Sequence, residues 1–200
     1  MLIELIVINQ NVTALESLSS LILSNKYPVN FAVPNSSNAS SAEEGYAADT
    51  DLEAVTLKII KLGVELRRGR LIKDVLIHLR GALQTVHALS FEFVLKFLVS
   101  SAEEQIKAAQ AKVLAQNLAS LDLDDEFCGV EEKDVVTPWL RFYWEVLRMV
   151  LDISRNNSRL ELIYHHVALQ AFQFCRSFTR KSEFRRLSEM IRYHLALSVK

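Results

Sequence analysis

The chain has 200 residues, half of them hydrophobic, and a formal net charge of −1. That length supports one or two folded domains, and the near-neutral balance excludes a whole-protein electrostatic grip on nucleic acid, though not a local basic patch. Cys128 and Cys175 are the only cysteines, too few to staple a secreted scaffold and suited to a reduced compartment.

Residues 1–8, MLIELIVI, are apolar but far too short to span a bilayer. They carry no basic leader and no small-residue cleavage site, which argues against a secretory signal. The pattern fits a short strand or a helical turn packed on the core. Val12, Leu15, Leu18 and Ile22 predict a short helix that stops near Tyr27 and Pro28. Residues 34–51 are rich in Asn, Ser and Ala and read as a flexible loop. The first fifty residues are therefore expected to form an atypical N-terminal segment, and removal of residues 1–49 to leave a folded helical protein.

From Leu52 the apolar period becomes helical. Leu52, Val55, Ile59, Leu62 and Leu66 repeat at three and four, Gly69 stands where a helix stop would want it, and Ile72, Leu76, Leu79 and Leu83 mark a second helix. Residues 52–85 thus read as a helical hairpin. Residues 91–121 form one long pattern, striped by Val94, Leu98, Ala102, Ile106, Ala109 and Val113. Residues 122–134 follow with seven acids in thirteen positions and no apolar period, the signature of an exposed acidic loop.

Residues 135–197 hold three helical patterns. Thr137 is a candidate N-cap with Pro138 at the first helical position. Trp139, Tyr143, Val146, Val150 and Ile153 then give one broad apolar face, widened by Leu140, Leu147 and Leu151. Arg141 with Glu145, and Arg148 with Asp152, stand at ion-pair spacing. Asn156 and Asn157 break the helix. Ser158 with Glu161 has the spacing of a capping box. Leu160, Tyr164, Val167, Ala171, Cys175 and Phe178 stripe the next helix. After a break at residues 179–182, with Ser182 a plausible cap, Phe184, Leu187, Ile191 and Leu195 stripe the last. No glycine or proline stops that helix before Lys200, so the pattern reads as part of a longer chain.

The residues offer little chemistry. His165 and His166 are adjacent and point to different sides of a helix; His78, His87 and His194 lack spaced Cys, Asp or Glu partners, so no metal site is expected. There is no phosphate-cradling glycine loop and no nucleophile elbow. Cys175 lies on an apolar stripe and reads as a core thiol. Trp139, Tyr143, Trp144 and Phe172 could stack bases, but their helical spacing favours core positions. No cofactor is expected. What stands out is a cluster of cations at the C-terminal end: Arg155, Arg159, Arg176, Arg180, Lys181, Arg185, Arg186 and Arg192. All but Arg155 are candidate docking residues for a protein partner or RNA, against the plainer reading of a solvated face.

Several of these segments carry a resemblance. Thr137, Pro138 and Trp139, then Trp144, then Asn156, Asn157, Ser158 and Arg159, then ALQAFQFC at residues 168–175 and TRKSEFRRL at residues 179–187, resemble the N-terminal region of the eIF3a family of eukaryotic translation initiation factor 3. LGVELRRGRLIKD at residues 62–74 is similar too, as are Ala102, Glu103 and Glu104 with residues 109–112. The resemblance covers residues 52–197 and departs from the family over the first fifty residues, where family members open on a helical hairpin.

The hairpin pattern predicts an all-α fold of antiparallel helical hairpins stacked as a tetratricopeptide-like α-solenoid, without a clean thirty-four-residue consensus. The expected organisation is an N-terminal segment, residues 1–50, and a helical-repeat domain, residues 51–200, with its acidic loop at 122–134. The resemblance implies the helical arm of a PCI-domain protein. It further implies a cytoplasmic, non-enzymatic scaffold that binds the other subunits of initiation factor 3, messenger RNA and the small ribosomal subunit, with no membrane involved. The alternative is a helical-repeat adaptor of another PCI-containing assembly, of proteasome-lid or signalosome type.

Overall fold

A computed structural model describes residues 2–23, 42–86, 88–121, 132–155 and 157–198. Among them the regular structure is helical: α1 (Leu2–Leu23), α2 (Ala42–Glu65), α3 (Gly69–Val86), α4 (Ala88–Leu121), α5 (Glu132–Ser154), α6 (Glu161–Ser177) and α7 (Lys181–Ser198), with a short 3-10 turn, Ser158–Leu160, leading into α6. The helices belong to two compact units, Met1–Leu98 and Val99–Lys200, whose boundary falls inside α4.

In the first unit α1, α2 and α3 pack each against the other two. The apolar stripes explain why. Leu15 and Ile22 of α1, Ile59, Ile60 and Val64 of α2, and Ile72, Val75, Leu76 and Leu79 of α3 are all buried. Of the strand and the helical turn expected for residues 1–8, the helical reading holds: residues 2–8 start one continuous helix through Leu23. In its serine- and threonine-rich half the hydroxyls bond back along the helix, Thr13 Oγ1 donating to the Gln10 carbonyl at 2.9 Å and Ser17 Oγ to the Thr13 carbonyl at 2.8 Å, while buried Leu15 and Ile22 hold the helix on its neighbours. The loop expected at residues 34–51 is contradicted over its second half. Residues 34–41 lie outside the described residues, and residues 42–51 open α2, where alanine and glutamate supply helix propensity.

The turn between α2 and α3 is a Schellman stop. The Arg68 N–H donates to the Gly63 carbonyl at 2.8 Å and the Arg67 N–H to the Val64 carbonyl at 3.0 Å, with Arg67 in the left-handed region at φ 53°. The stop residue is thus Arg67; Gly69, expected to end the helix, begins α3. Gly63 has a different task. A Cβ there would stand 2.7 Å from Ile72 Cγ1, so glycine lets α2 and α3 approach closely.

In the second unit Ala109 and Val113 of α4 pack on Val136 of α5, with Val135, Trp139 and Leu140 at the margin. That contact draws the start of α5 back to Glu132. Pro138 therefore lies inside the helix, and Thr137 is no N-cap. The proline removes the bond its N–H would have made to the Asp134 carbonyl and its ring crowds that carbonyl, a cost taken near the start of the helix. Beyond it the predicted stripe is the buried one: Tyr143, Val146, Leu147, Val150, Leu151 and Ile153. The residues of the expected Arg141–Glu145 and Arg148–Asp152 pairs do not close them; among the described residues, Glu92–Lys96 (2.6 Å), Glu103–Lys107 (2.8 Å) and Glu161–His165 (3.5 Å) meet at that spacing.

The entry to α6 also differs from the expected capping box. Asn157, extended at φ −126° and ψ 111°, accepts the Arg159 N–H on its side-chain oxygen at 3.0 Å, and α6 starts at Glu161. The asparagine reaches an N–H two residues on, so it takes the capping position ahead of Ser158. A second Schellman stop ends α6. The Arg180 N–H donates to the Cys175 carbonyl at 2.9 Å and the Thr179 N–H to the Arg176 carbonyl at 3.3 Å, with Thr179 at φ 51°. On α7 only Leu187 of the expected stripe is buried, while Phe184 and Leu195 are more than two-fifths exposed. The acidic loop lies outside the described residues over 122–131.

Candidate docking surface

The α6–α7 turn places five of the candidate cations together: Arg176 in the last turn of α6, Arg180 in the connection, and Lys181, Arg185 and Arg186 on the first turns of α7. Arg180 differs from the rest. Its guanidinium meets Glu183 at 3.1 Å and lies 5.5 Å from the centroid of the Phe174 ring, so its charge is spent inside the fold. Arg176, Lys181, Arg185 and Arg186 are exposed. Positions 181 and 185 are i,i+4 neighbours on one helical face.

The other two candidates stand elsewhere. Arg159 sits in the 3-10 turn before α6 and is exposed. Arg192 is exposed near the end of α7. Tyr164 meets His194 with ring centroids 4.2 Å apart, which shows that the start of α6 lies beside the end of α7. The two helices are therefore antiparallel, and the candidates divide between opposite ends of the hairpin. Arg155 joins the second group, its guanidinium 5.4 Å from the Tyr193 ring centroid.

A further feature was not legible in any single helix. Trp144, Arg148 and Asp152 of α5 and Glu183, Arg186, Leu187 and Met190 of α7 line a cleft of about 150 Å³. α6 packs against both of these helices. The stripe arithmetic for α5 places Trp144 on the margin of the core, and only the arrival of α7 turns that margin into a wall.

The nucleophile reading of Cys175 and the base-stacking reading of Tyr143 and Trp144 resolve toward the core, while Phe172 and Trp139 are only partly buried. Cys175 is buried, and burial above all, then the Glu183 carboxylate, pushes its thiol up against the opposing Arg180. Trp144 stacks on Phe174, and Tyr143 meets the same ring edge-on. Phe172 tilts against Phe184 at 5.0 Å. Trp139, at the head of its stripe, is half-buried and contacts Phe142 edge-on at 6.2 Å.

Antiparallel helical hairpins, two of their turns closed by the same left-handed stop and their cations gathered at helix ends, define a helical-repeat protein of tetratricopeptide-like type. A family model described as eIF3a, PCI domain, TPR-like region matches residues 3–200. The eIF3a protein of Nicotiana tabacum, a component of eukaryotic translation initiation factor 3, is 39% identical over 96% of this chain, which covers 20% of that protein's length. Its counterparts of the same name from Yarrowia lipolytica and Neurospora crassa are 41% and 39% identical over 72% and 74% of this chain, covering 17% and 16% of their lengths. The chain belongs to the eIF3a family of eukaryotic translation initiation factor 3, within its PCI-domain, tetratricopeptide-like region. The match reaches back to residue 3, so the departure expected over the first fifty residues is corrected. The chain spans a fifth or less of the length of these relatives.

Proposed function

We propose that the chain is a non-enzymatic, cytoplasmic scaffold segment of initiation factor 3, holding sibling subunits and docking, through its cations, on RNA and on the small ribosomal subunit. The observation that carries this reading is the group Arg176, Lys181, Arg185 and Arg186, exposed at one helical turn of a chain whose net charge is only −1. Such a local field attracts phosphate without making the whole protein a polycation. Arg159 and Arg192 offer a second, smaller contact at the other end of the hairpin. Arg180 has a structural task and is not expected to contribute directly.

The test is co-sedimentation of the Lys181→Glu/Arg185→Glu variant with purified small ribosomal subunits at low and high salt, beside a melting curve. Both side chains are exposed, so stability is expected to change by less than about 0.5 kcal/mol. Wild-type binding should fall steeply as salt rises, and the variant should bind weakly throughout. Equal co-sedimentation of the two at low salt would show that the cluster is a solvated face.

A further inference from the structure

We propose that the cleft between α5 and α7 is a binding site for an extended acidic peptide segment of a protein partner, with one apolar side chain of the segment seated on Trp144, Leu187 and Met190. The proposal rests on the scaffold reading above but not on the α6–α7 turn. A cavity of about 150 Å³ is the size that accepts one benzene-sized group. Its floor is preformed: Leu187 is buried, and the Trp144 indole is held by its stack on Phe174.

The charges around the cleft select the rest of the ligand. Glu183 is neutralised by Arg180 at 3.1 Å. Arg148 on the α5 side and Arg186 on the α7 side are exposed, and among the described residues neither closes an ion pair. Two cations thus face each other across an apolar floor, which complements carboxylates on either side of an apolar residue. Asp152, one turn beyond Arg148, is placed to accept a main-chain N–H of an extended segment. RNA fits this cleft poorly. One face of the indole is already covered by Phe174, so a base could reach only the other.

The probe is a fluorescein-labelled peptide, Glu-Asp-Leu-Asp-Glu, titrated with the whole 200-residue chain by fluorescence anisotropy. Binding is expected to weaken about tenfold or more, some 1.4 kcal/mol, in the Arg148→Gln/Arg186→Gln variant. It should weaken likewise in Met190→Trp, which fills the cavity, and when the peptide leucine becomes serine. The Lys181→Gln/Arg185→Gln variant should lose less peptide affinity than Arg148→Gln/Arg186→Gln, because its side chains lie outside the lining and act only through a screened field. No binding by wild type, unchanged binding in Arg148→Gln/Arg186→Gln at an unchanged melting temperature, or displacement of the peptide by polyuridylate at matched charge would overturn the proposal. Failure of wild type to bind the peptide while it still co-sediments with ribosomal subunits would remove this site alone; peptide binding by wild type that does not co-sediment would remove the ribosomal reading alone.

Discussion

The indole of Trp144 lies on the ring of Phe174, with centroids 5.6 Å apart and planes 11° from parallel. Phe174 collects other partners as well: Tyr143 edge-on at 5.7 Å, Phe178 at 4.8 Å, and the Arg180 guanidinium 5.5 Å from its centroid. One ring on α6 therefore ties α5 to the turn that launches α7. Phe174→Ala should cost about 3–5 kcal/mol, the range for a buried phenylalanine, and should also loosen the floor of the α5–α7 cleft. Half-buried Trp139 should cost less on truncation to alanine, about 1–3 kcal/mol. Urea midpoints of the two variants check the order. A larger loss at Trp139 would mean that the α4–α5 contact, not Phe174, dominates this unit.

The helices of this unit were legible because their stripes are unbroken: Tyr143, Val146, Val150 and Ile153 in α5, and Tyr164, Val167, Ala171 and Cys175 in α6, are buried as their spacing requires. The ends were less legible, because tertiary contact decides them. Val136 against Val113 pulls α5 past Pro138, and Asn157 takes the cap that spacing assigned to Ser158. The turns hid for another reason. Arg67 and Thr179 carry no sequence mark of a left-handed conformation, and only the paired carbonyls of Gly63 and Val64, and of Cys175 and Arg176, account for it. On the candidate surface the cations were visible as a cluster. Their division between two ends of a hairpin, and the internal ion pair of Arg180, needed the antiparallel packing of α6 and α7.

Gly63 offers a test of the first unit. A Cβ at this position would lie 2.7 Å from Cγ1 and 2.9 Å from Cδ1 of Ile72, which is fully buried and has nowhere to retreat. Overpacking of this kind costs about 1–3 kcal/mol, while alanine returns about 1 kcal/mol of helix propensity. Gly63→Ala should therefore destabilise by up to about 2 kcal/mol. In a double-mutant cycle with Ile72→Ala the two losses should be less than additive, since the second change opens the space that the first needs. Strict additivity would show that the helices separate rather than clash.

Removal of residues 1–49 bears on how the N-terminal helix is used. The composition break upstream of Leu52 favoured a dispensable segment, but Leu15 and Ile22 are only 1% and 3% exposed, and α1 packs on both α2 and α3. Each such side chain is worth about 1.5–3 kcal/mol of burial, and the deletion also uncovers its partners. The truncated chain is expected to keep its helical circular dichroism in the second unit while its melt broadens or splits. A sharp, unshifted transition would show that α1 rests on α2 and α3 without stabilising them.

At alkaline pH the fold is expected to lose stability through its buried phenols. Burial of Tyr143, and then the nearby Glu103 carboxylate, push its phenol up to about 12 from an ordinary 10.0. Tyr164 is pushed up as well by burial, with Arg155 opposing. A phenol raised in the folded state holds its proton after the unfolded chain has lost it. Between about pH 10 and 12 the unfolded state therefore binds fewer protons, and stability falls as pH rises through that window. Below about pH 10 both states are protonated and this contribution is fully present. Tyr143→Phe removes the ionisable group, so its urea midpoint should decline less than that of wild type above about pH 10, whatever the lysines contribute to both. Tyrosinate absorbance should show one phenol fewer titrating late. Glu103→Gln should shift that late titration downward by less than unburying the ring would, because the carboxylate is the smaller cause. Parallel declines for wild type and Tyr143→Phe would mean that water reaches the Tyr143 hydroxyl, and that the α4–α5 contact opens before the phenol ionises.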